Sequence, residues 1–303
     1  MADPLPGFAA RKGELQSFEV TSRRELEDSV LTEIVLRSSS GLTVELALRR
    51  PHKPLSTRPI LLMIAGQEAG REATMMFPTT RGVTVAALSY PYQGSRKFSR
   101  LCLALDLHRV QEAILDTAPA VMLANDYLLN HAELDSDNLE LVGVSFGAFL
   151  AAVPAALDSR VRRVWLIHGA GDVAGVLERG LENNLPLAPL RALVARFLAA
   201  TAGSRYLSPE KWVGRVAPRP VIVINGSDDD DLPAEAVRAL HDALGEPSEV
   251  IWVEGGHIHP KRPETIIRVI EIMFQRIGER AGERPRCKTA PGCPENGARS
   301  PAS

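Results

Sequence analysis

Leu139-Glu140-Leu141-Val142-Gly143-Val144-Ser145-Phe146-Gly147-Ala148-Phe149-Leu150 is the stretch on which the chain turns. An apolar run reaches Gly143, a serine stands between two glycines, and small residues suited to a close-packed helix follow, among them Ala151 and Ala152. This is G-x-S-x-G in the order strand, tight turn, helix, the context that gives the motif meaning. Glycine has no Cβ, so strand and helix can approach closely around a sharp turn. Such a turn would lift the Ser145 hydroxyl above the sheet edge. It would also leave the Phe146 amide at a helix N-terminus, facing any negative charge that develops there. The same five residues could also form a surface turn that happens to carry a serine, so their surroundings decide.

Those surroundings are rhythmic. Ile60-Leu61-Leu62-Met63-Ile64-Ala65 is a continuous apolar run, the mark of a strand buried on both faces, and similar runs recur at 83–88, 139–144, 164–167, 221–224 and 250–253. Helical patterns lie between most of them, the longest from Leu103 to about Leu129. Buried strands alternating with helices make βαβ units and a mostly parallel sheet with helices on both faces. Ahead of these runs, residues 30–37 and 42–49 alternate apolar and polar around Ser38-Ser39-Ser40-Gly41, which predicts an N-terminal antiparallel hairpin with one wet face. The expected division is a loosely packed arm over 1–29 and a single α/β domain over 30–280. A small helical lid is expected over about 170–217, and a disordered tail over 281–303, rich in Pro, Gly, Ser and charge.

Composition narrows the classes. The chain has 303 residues, 45% hydrophobic and 24% charged, enough for one large core, and its formal charge of −2 asks for neither nucleic acid nor an anionic surface. Three cysteines (Cys102, Cys287, Cys293) make no disulfide framework. The last two stand five residues apart with no histidine close by, so no metal site is expected. Met1-Ala2-Asp3-Pro4-Leu5-Pro6 carries no apolar signal core, no stretch approaches the roughly 18 apolar residues of a spanning helix, and a cytoplasmic protein is expected.

A serine hydroxyl is a weak nucleophile and needs a base, which itself needs an orienting group. Each should sit in a loop at a strand's carboxyl end, where open α/β sheets build their sites. After Val221–Gly226 come Ser227-Asp228-Asp229-Asp230-Asp231-Leu232-Pro233, four aspartates whose mutual repulsion is hard to explain as packing. After the apolar run within residues 249–254 come Gly255-Gly256-His257-Ile258-His259-Pro260, two glycines presenting an imidazole. Nucleophile, acid, then histidine, each after its own strand, is the chain order Ser…Asp…His.

With these three loops the chain resembles the α/β-hydrolase superfamily, nearest in pattern to its compact esterase and dienelactone-hydrolase-like members, over about residues 30–280. The resemblance implies an α/β-hydrolase fold and a triad of Ser145, Asp229 and His257. Asp229 is implied because the family's acid commonly lies three residues after the glycine, here Gly226, and four before the proline, here Pro233. Asp228, Asp230 and, one strand earlier, Asp172 are alternatives for the acid, and His259 for the base. The oxyanion hole would use the amides of Phe146 and Gln67; many members have His-Gly where this chain has Ala65-Gly66, but the donor is main-chain and survives the change. The implied activity is hydrolysis of a small-molecule carboxylic ester through an acyl-enzyme, with no cofactor and no metal. A thioesterase, acyltransferase or peptidase on the same triad is an alternative, as is a non-catalytic binding protein of this fold. Met76 and Phe77 could wall the acyl pocket or be plain core. Tyr90 and His168, each following a buried strand, are further pocket candidates, with a hydrogen-bonded structural role the other reading of His168.

Overall fold

The computed structural model describes residues 5–55, 58–66, 69–92, 107–130, 134 and 138–280. Gln67, all three cysteines, the start of the long helix expected from Leu103, and the tail expected over 281–303 lie outside the described residues.

Among the described residues the central sheet has nine strands: β1 (Leu15–Glu25), β2 (Ser29–Ser38), β3 (Thr43–Pro51), β4 (Ile60–Ile64), β5 (Thr84–Leu88), β6 (Leu139–Val144), β7 (Val161–Ile167), β8 (Val221–Gly226) and β9 (Ser248–Val253). Their spatial order is β1-β2-β3-β5-β4-β6-β7-β8-β9. The pairs β1–β2, β2–β3 and β3–β5 are antiparallel; every pair from β5–β4 to β8–β9 is parallel. The hairpin expected from alternation is β2–β3, with Val30 opposite Arg50 and Leu36 opposite Val44.

Alternate residues of the apolar runs go to opposite cores. Ile60, Leu62, Ile64, Leu139, Leu141, Val164, Leu166, Val221 and Val223 face one, closed by α2 (Leu107–Asn130) and α3 (Phe146–Leu157). Leu61, Met63, Val142, Trp165, Ile167, Ile222 and Ile224 face the other, closed by Val269, Ile270, Met273, Phe274 and Ile277 of the last helix, Pro263–Arg280. Both faces are covered, so the runs are continuous rather than alternating.

Two regions differ from the sequence expectation. Residues 5–12 form helix α1 and residues 15–25 form β1, where a loose arm is expected. Phe8 is buried in the first core, Arg11 pairs with Glu112 and Asp116, and Lys12 pairs with Asp126. β1 escapes notice because it lies at the sheet edge and exposes nearly every side chain; main-chain pairing to β2 holds it, and that leaves no hydrophobic period. Over 170–217, helices α4 (Val173–Gly180) and α5 (Ala188–Thr201) pack as a pair, with Leu187, Leu190, Leu193 and Phe197 exposed. The end of that segment is core: Leu207, Trp212, Val213 and Val216 are buried under the sheet.

Strand register positions the site. Ile64 pairs with Gly143, Val144 with Ile167, Ile167 with Ile224, and Gly226 with Val253. The carboxyl ends of β4, β6, β7, β8 and β9 therefore lie along one edge. The chain reverses its direction of travel across the sheet between β4 and β6, the crevice where open α/β sheets place ligands.

Candidate active site

Ser145 sits immediately after β6 with φ 53° and ψ −118°, a region L-residues avoid. Such strain costs about 1–3 kcal/mol. One or two side chains as buried as Ile64 and Val142 offset it, at about 1.5–3 kcal/mol each. The flanking glycines are required by close approach. A Cβ on Gly143 would lie 2.7 Å from Ala151 Cβ and 2.8 Å from Ala148 Cα; one on Gly147 would lie 1.9 Å from the carbonyl oxygen of Ile64. The turn is tied to β7 by Ser145 N–H donating to Ile167 O at 2.8 Å. Phe146 opens α3, so its amide belongs to the first helical turn, which has no intrahelical acceptor. A Cβ on Gly66 would come within 3.8 Å of Ser145 Cβ, so the loop leaving β4 runs beside the serine.

The structure brings Ser145, His257 and Asp229 into one chain of hydrogen bonds. Ser145 Oγ is 2.7 Å from His257 Nε2, and His257 Nδ1 is 2.8 Å from Asp229 Oδ2. An ionised carboxylate only accepts, so His257 Nδ1 carries the hydrogen and Nε2 is free to accept from the serine. The Asp229 side chain is 4% exposed and that of His257 16%. Burial pushes the Asp229 carboxyl up, but hydrogen bonds from His168 and His257, with the charge of both rings when protonated, outweigh it and hold the group at about 2. Asp229 Oδ1 also accepts the Asp231 N–H at 3.2 Å.

The neighbouring candidates have other partners. Asp228 Oδ2 accepts from Ser227 Oγ and from the Gly255 N–H, so it braces the histidine loop. The Asp230 carbonyl accepts from Arg179 Nε. Asp172 precedes α4 with its carboxylate turned toward Gly175. His259 Nδ1 accepts the Lys261 N–H in an exposed turn.

Of the two readings open for Phe77 and for His168, the packing agrees with the one outside the pocket. Phe77 is 2% exposed in the second core, edge-on to Phe274 at 5.9 Å between ring centroids. His168 is fully buried and donates from Nδ1 to Asp229 Oδ2 at 2.8 Å. The sequence places His168 directly after a buried strand but does not reveal its partner, which the register of β7 on β8 supplies. Met76 packs against the second core. Tyr90 donates its hydroxyl to Ala65 O and lies 5.4 Å, ring to ring, from Phe146; burial pushes its phenol up. Among the described residues, the cluster of metal-ligating type is His168, Asp229 and His257, with donor atoms within 4.8 Å of one another. A cation there would have to displace both Nδ1 protons and break both hydrogen bonds to Asp229. No helix among the described residues is long and apolar enough to cross a membrane.

Compared with family models and with curated sequences, the chain matches none. Solved structures do match. Acetyl xylan esterase 1 from a Thermoanaerobacterium species superposes with TM-score 0.63 at 17% identity, over 92% of this chain and 94% of that one. An acetyl xylan esterase from a Paenibacillus species gives 0.65 at 17%, over 88% and 92%. A cold-adapted esterase from an Arctic intertidal metagenomic library gives 0.59 at 17%, over 86% and 99%. At such identities the likeness is one of fold, and that fold is the α/β-hydrolase fold.

Proposed function

On this α/β-hydrolase fold, we propose that the chain is a serine hydrolase of small carboxylic esters, acting through an acyl-enzyme. The supporting observation is the unbroken path Ser145 Oγ, His257 Nε2, His257 Nδ1, Asp229 Oδ2, with 2.7 Å and 2.8 Å links, at the sheet's switch point. His257 Nε2 takes the serine proton as Oγ attacks the ester carbonyl. Asp229 keeps the imidazole in the Nδ1–H tautomer and stabilises the imidazolium that forms. The amides of Phe146 and Gln67 receive the oxyanion. His257 then returns its proton to the departing alkoxide. A water, deprotonated by the same nitrogen, releases the acid and restores Ser145. The esterase names of the fold neighbours agree with an ester as substrate.

The test is turnover of p-nitrophenyl esters from acetate to long-chain acyl, with a thioester and an anilide of the best acyl group alongside. Hydrolysis fastest on the oxygen ester, and absent in Ser145→Ala, is the expected result. A faster thioester or anilide would reassign the substrate class. No turnover of any of them by folded wild type would refute the enzyme reading.

A further inference from the structure

His168 is costly to keep where it is. Its backbone stands at φ 50°, its side chain is sealed from solvent, and its Nε2 finds no hydrogen-bond partner among the described residues. Strain at a bulky residue and a buried polar atom left unmatched are both destabilising. The residues before it, Val164, Trp165, Leu166 and Ile167, would suggest an aliphatic side chain if packing were the only demand. The surroundings instead make room for an imidazole: a Cβ on Gly226 would lie 3.0 Å from His168 Cε1. The His168 N–H is anchored on Ile224 O at 2.7 Å.

That expense secures one contact, Nδ1–H to Asp229 Oδ2 at 2.8 Å, on the same oxygen that His257 uses at the same distance. The two rings stand edge to face, 5.3 Å between centroids. The donors differ in mounting. His257 rides on a loop opened by Gly255 and Gly256, whereas His168 is fixed at the end of a buried strand. A carboxylate held only by the loop histidine would follow that loop. We propose that His168 is a positioning residue, whose Nδ1–H pins Asp229 from the rigid end of β7 and draws part of the charge on Oδ2 away from His257. This rests on the triad proposed above. The other charged groups around the cluster are Asp228 against Gly255, Asp231 on Asp229 Oδ1, Arg179 on the Asp230 carbonyl, Arg262 against Gly256, and Glu254, His259 and Lys261 on the histidine loop. His241 faces Asn225 on the β8 side. All of them are retained in the variants below, so a difference between variants reports on His168 alone.

The experiment compares wild type, His168→Leu and His168→Asn; the Asn amide can place an N–H where Nδ1 stood. Two readouts are taken: kcat/KM against pH on the best p-nitrophenyl ester, and the titration of the His257 ring by nitrogen-resolved NMR, which requires no turnover. His168→Leu is expected to lose about 10–100-fold in kcat/KM, the scale seen when a partner that orients a functional ligand is removed. Its acidic limb and its His257 titration should both move to higher pH by about half a unit or more, because Asp229 then spends its charge on His257 alone. His168→Asn should recover most of the rate and return both midpoints toward wild type. In wild type the His168 nitrogens should report an Nδ1–H tautomer. An Nε2–H tautomer, or a folded Leu variant with unmoved midpoints, would overturn the proposal. Because the tautomer is read on unmodified protein, the inference stays falsifiable if the Leu variant fails to fold. Because NMR needs no substrate, absent turnover with a displaced His257 titration would count against the ester reading alone.

Discussion

Two carboxylates are buried at opposite ends of the same sheet, and each accepts from β7 and its immediate continuation. Near the amino end, Glu140 on β6 accepts from Arg163 Nη2 and Trp165 Nε1, both at 2.8 Å, with no exposure at all. At the carboxyl end, Asp229 accepts from His168 Nδ1 and His257 Nδ1, both at 2.8 Å. Distances and burial are nearly the same; the donors differ. A guanidinium does not release its proton in a protein, and an indole N–H does not either, so the Glu140 cluster can only hold. Imidazoles exchange protons near neutrality, and one of the two reaches a serine. On the proposed reading, the difference between a structural hub and a reactive one lies in whether a donor can take up a second proton on its far side, as His257 can at Nε2, not in how deeply the carboxylate is buried.

That contrast can be broken from either side. The largest effect belongs to Asp229→Asn, which keeps the shape but allows the wrong His257 tautomer; kcat/KM should fall about 10³–10⁴-fold, while a far-UV spectrum stays that of wild type. Next is Glu140→Ala, which leaves Arg163 buried without its carboxylate. It should cost about 3–5 kcal/mol in urea unfolding yet leave kcat per folded molecule within about twofold, since the cluster touches no reacting atom. If Glu140→Ala instead erased activity in a fully folded protein, the two ends would not be separable.

Acid titration gives a smaller effect. The Asp229 carboxyl is held at about 2, below its ordinary 3.8. A depressed acid contributes stability that is present above about pH 4 and lost as pH falls through 2. The difference is about 2 kcal/mol, at about 1.4 kcal/mol per pKa unit. Unfolding free energy measured between those pH values should fall more steeply in wild type than in Asp229→Asn. Equal slopes would mean that the two histidines do not hold the charge. The smallest effect is Asp228→Asn, which loosens one brace of the histidine loop, the Gly255 N–H bond at 3.3 Å; a two- to fivefold loss in kcat/KM corresponds to about 0.4–1 kcal/mol.

Much of the fold was legible because both faces of the parallel strands are buried. Continuous runs such as 60–65 announce such strands, and the glycines around Ser145 announce the close approach that the structure puts at 1.9 Å for a hypothetical Cβ on Gly147. β1 was not legible, since an edge strand held by its main chain imposes no pattern on its side chains. The site was legible in part. Ser145, Asp229 and His257 carry loop signals of their own, whereas the bond from His168 to Asp229 depends on register between β7 and β8, which side-chain identity does not encode. Phe77 illustrates the converse: an aromatic beside a candidate pocket has the same composition whether it lines the pocket or, as here, closes the core against Phe274.

The central claim is that Ser145 is a nucleophile driven by His257. Its most direct test is labelling with a fluorophosphonate, followed by mass mapping of the modified peptide. One phosphonyl group per chain on Ser145 is the predicted result, with labelling absent in Ser145→Ala and slowed at least a hundredfold in His257→Ala, on the scale expected when a triad member is lost. A folded wild-type protein that takes up no label, or takes it up on another residue, would contradict the account.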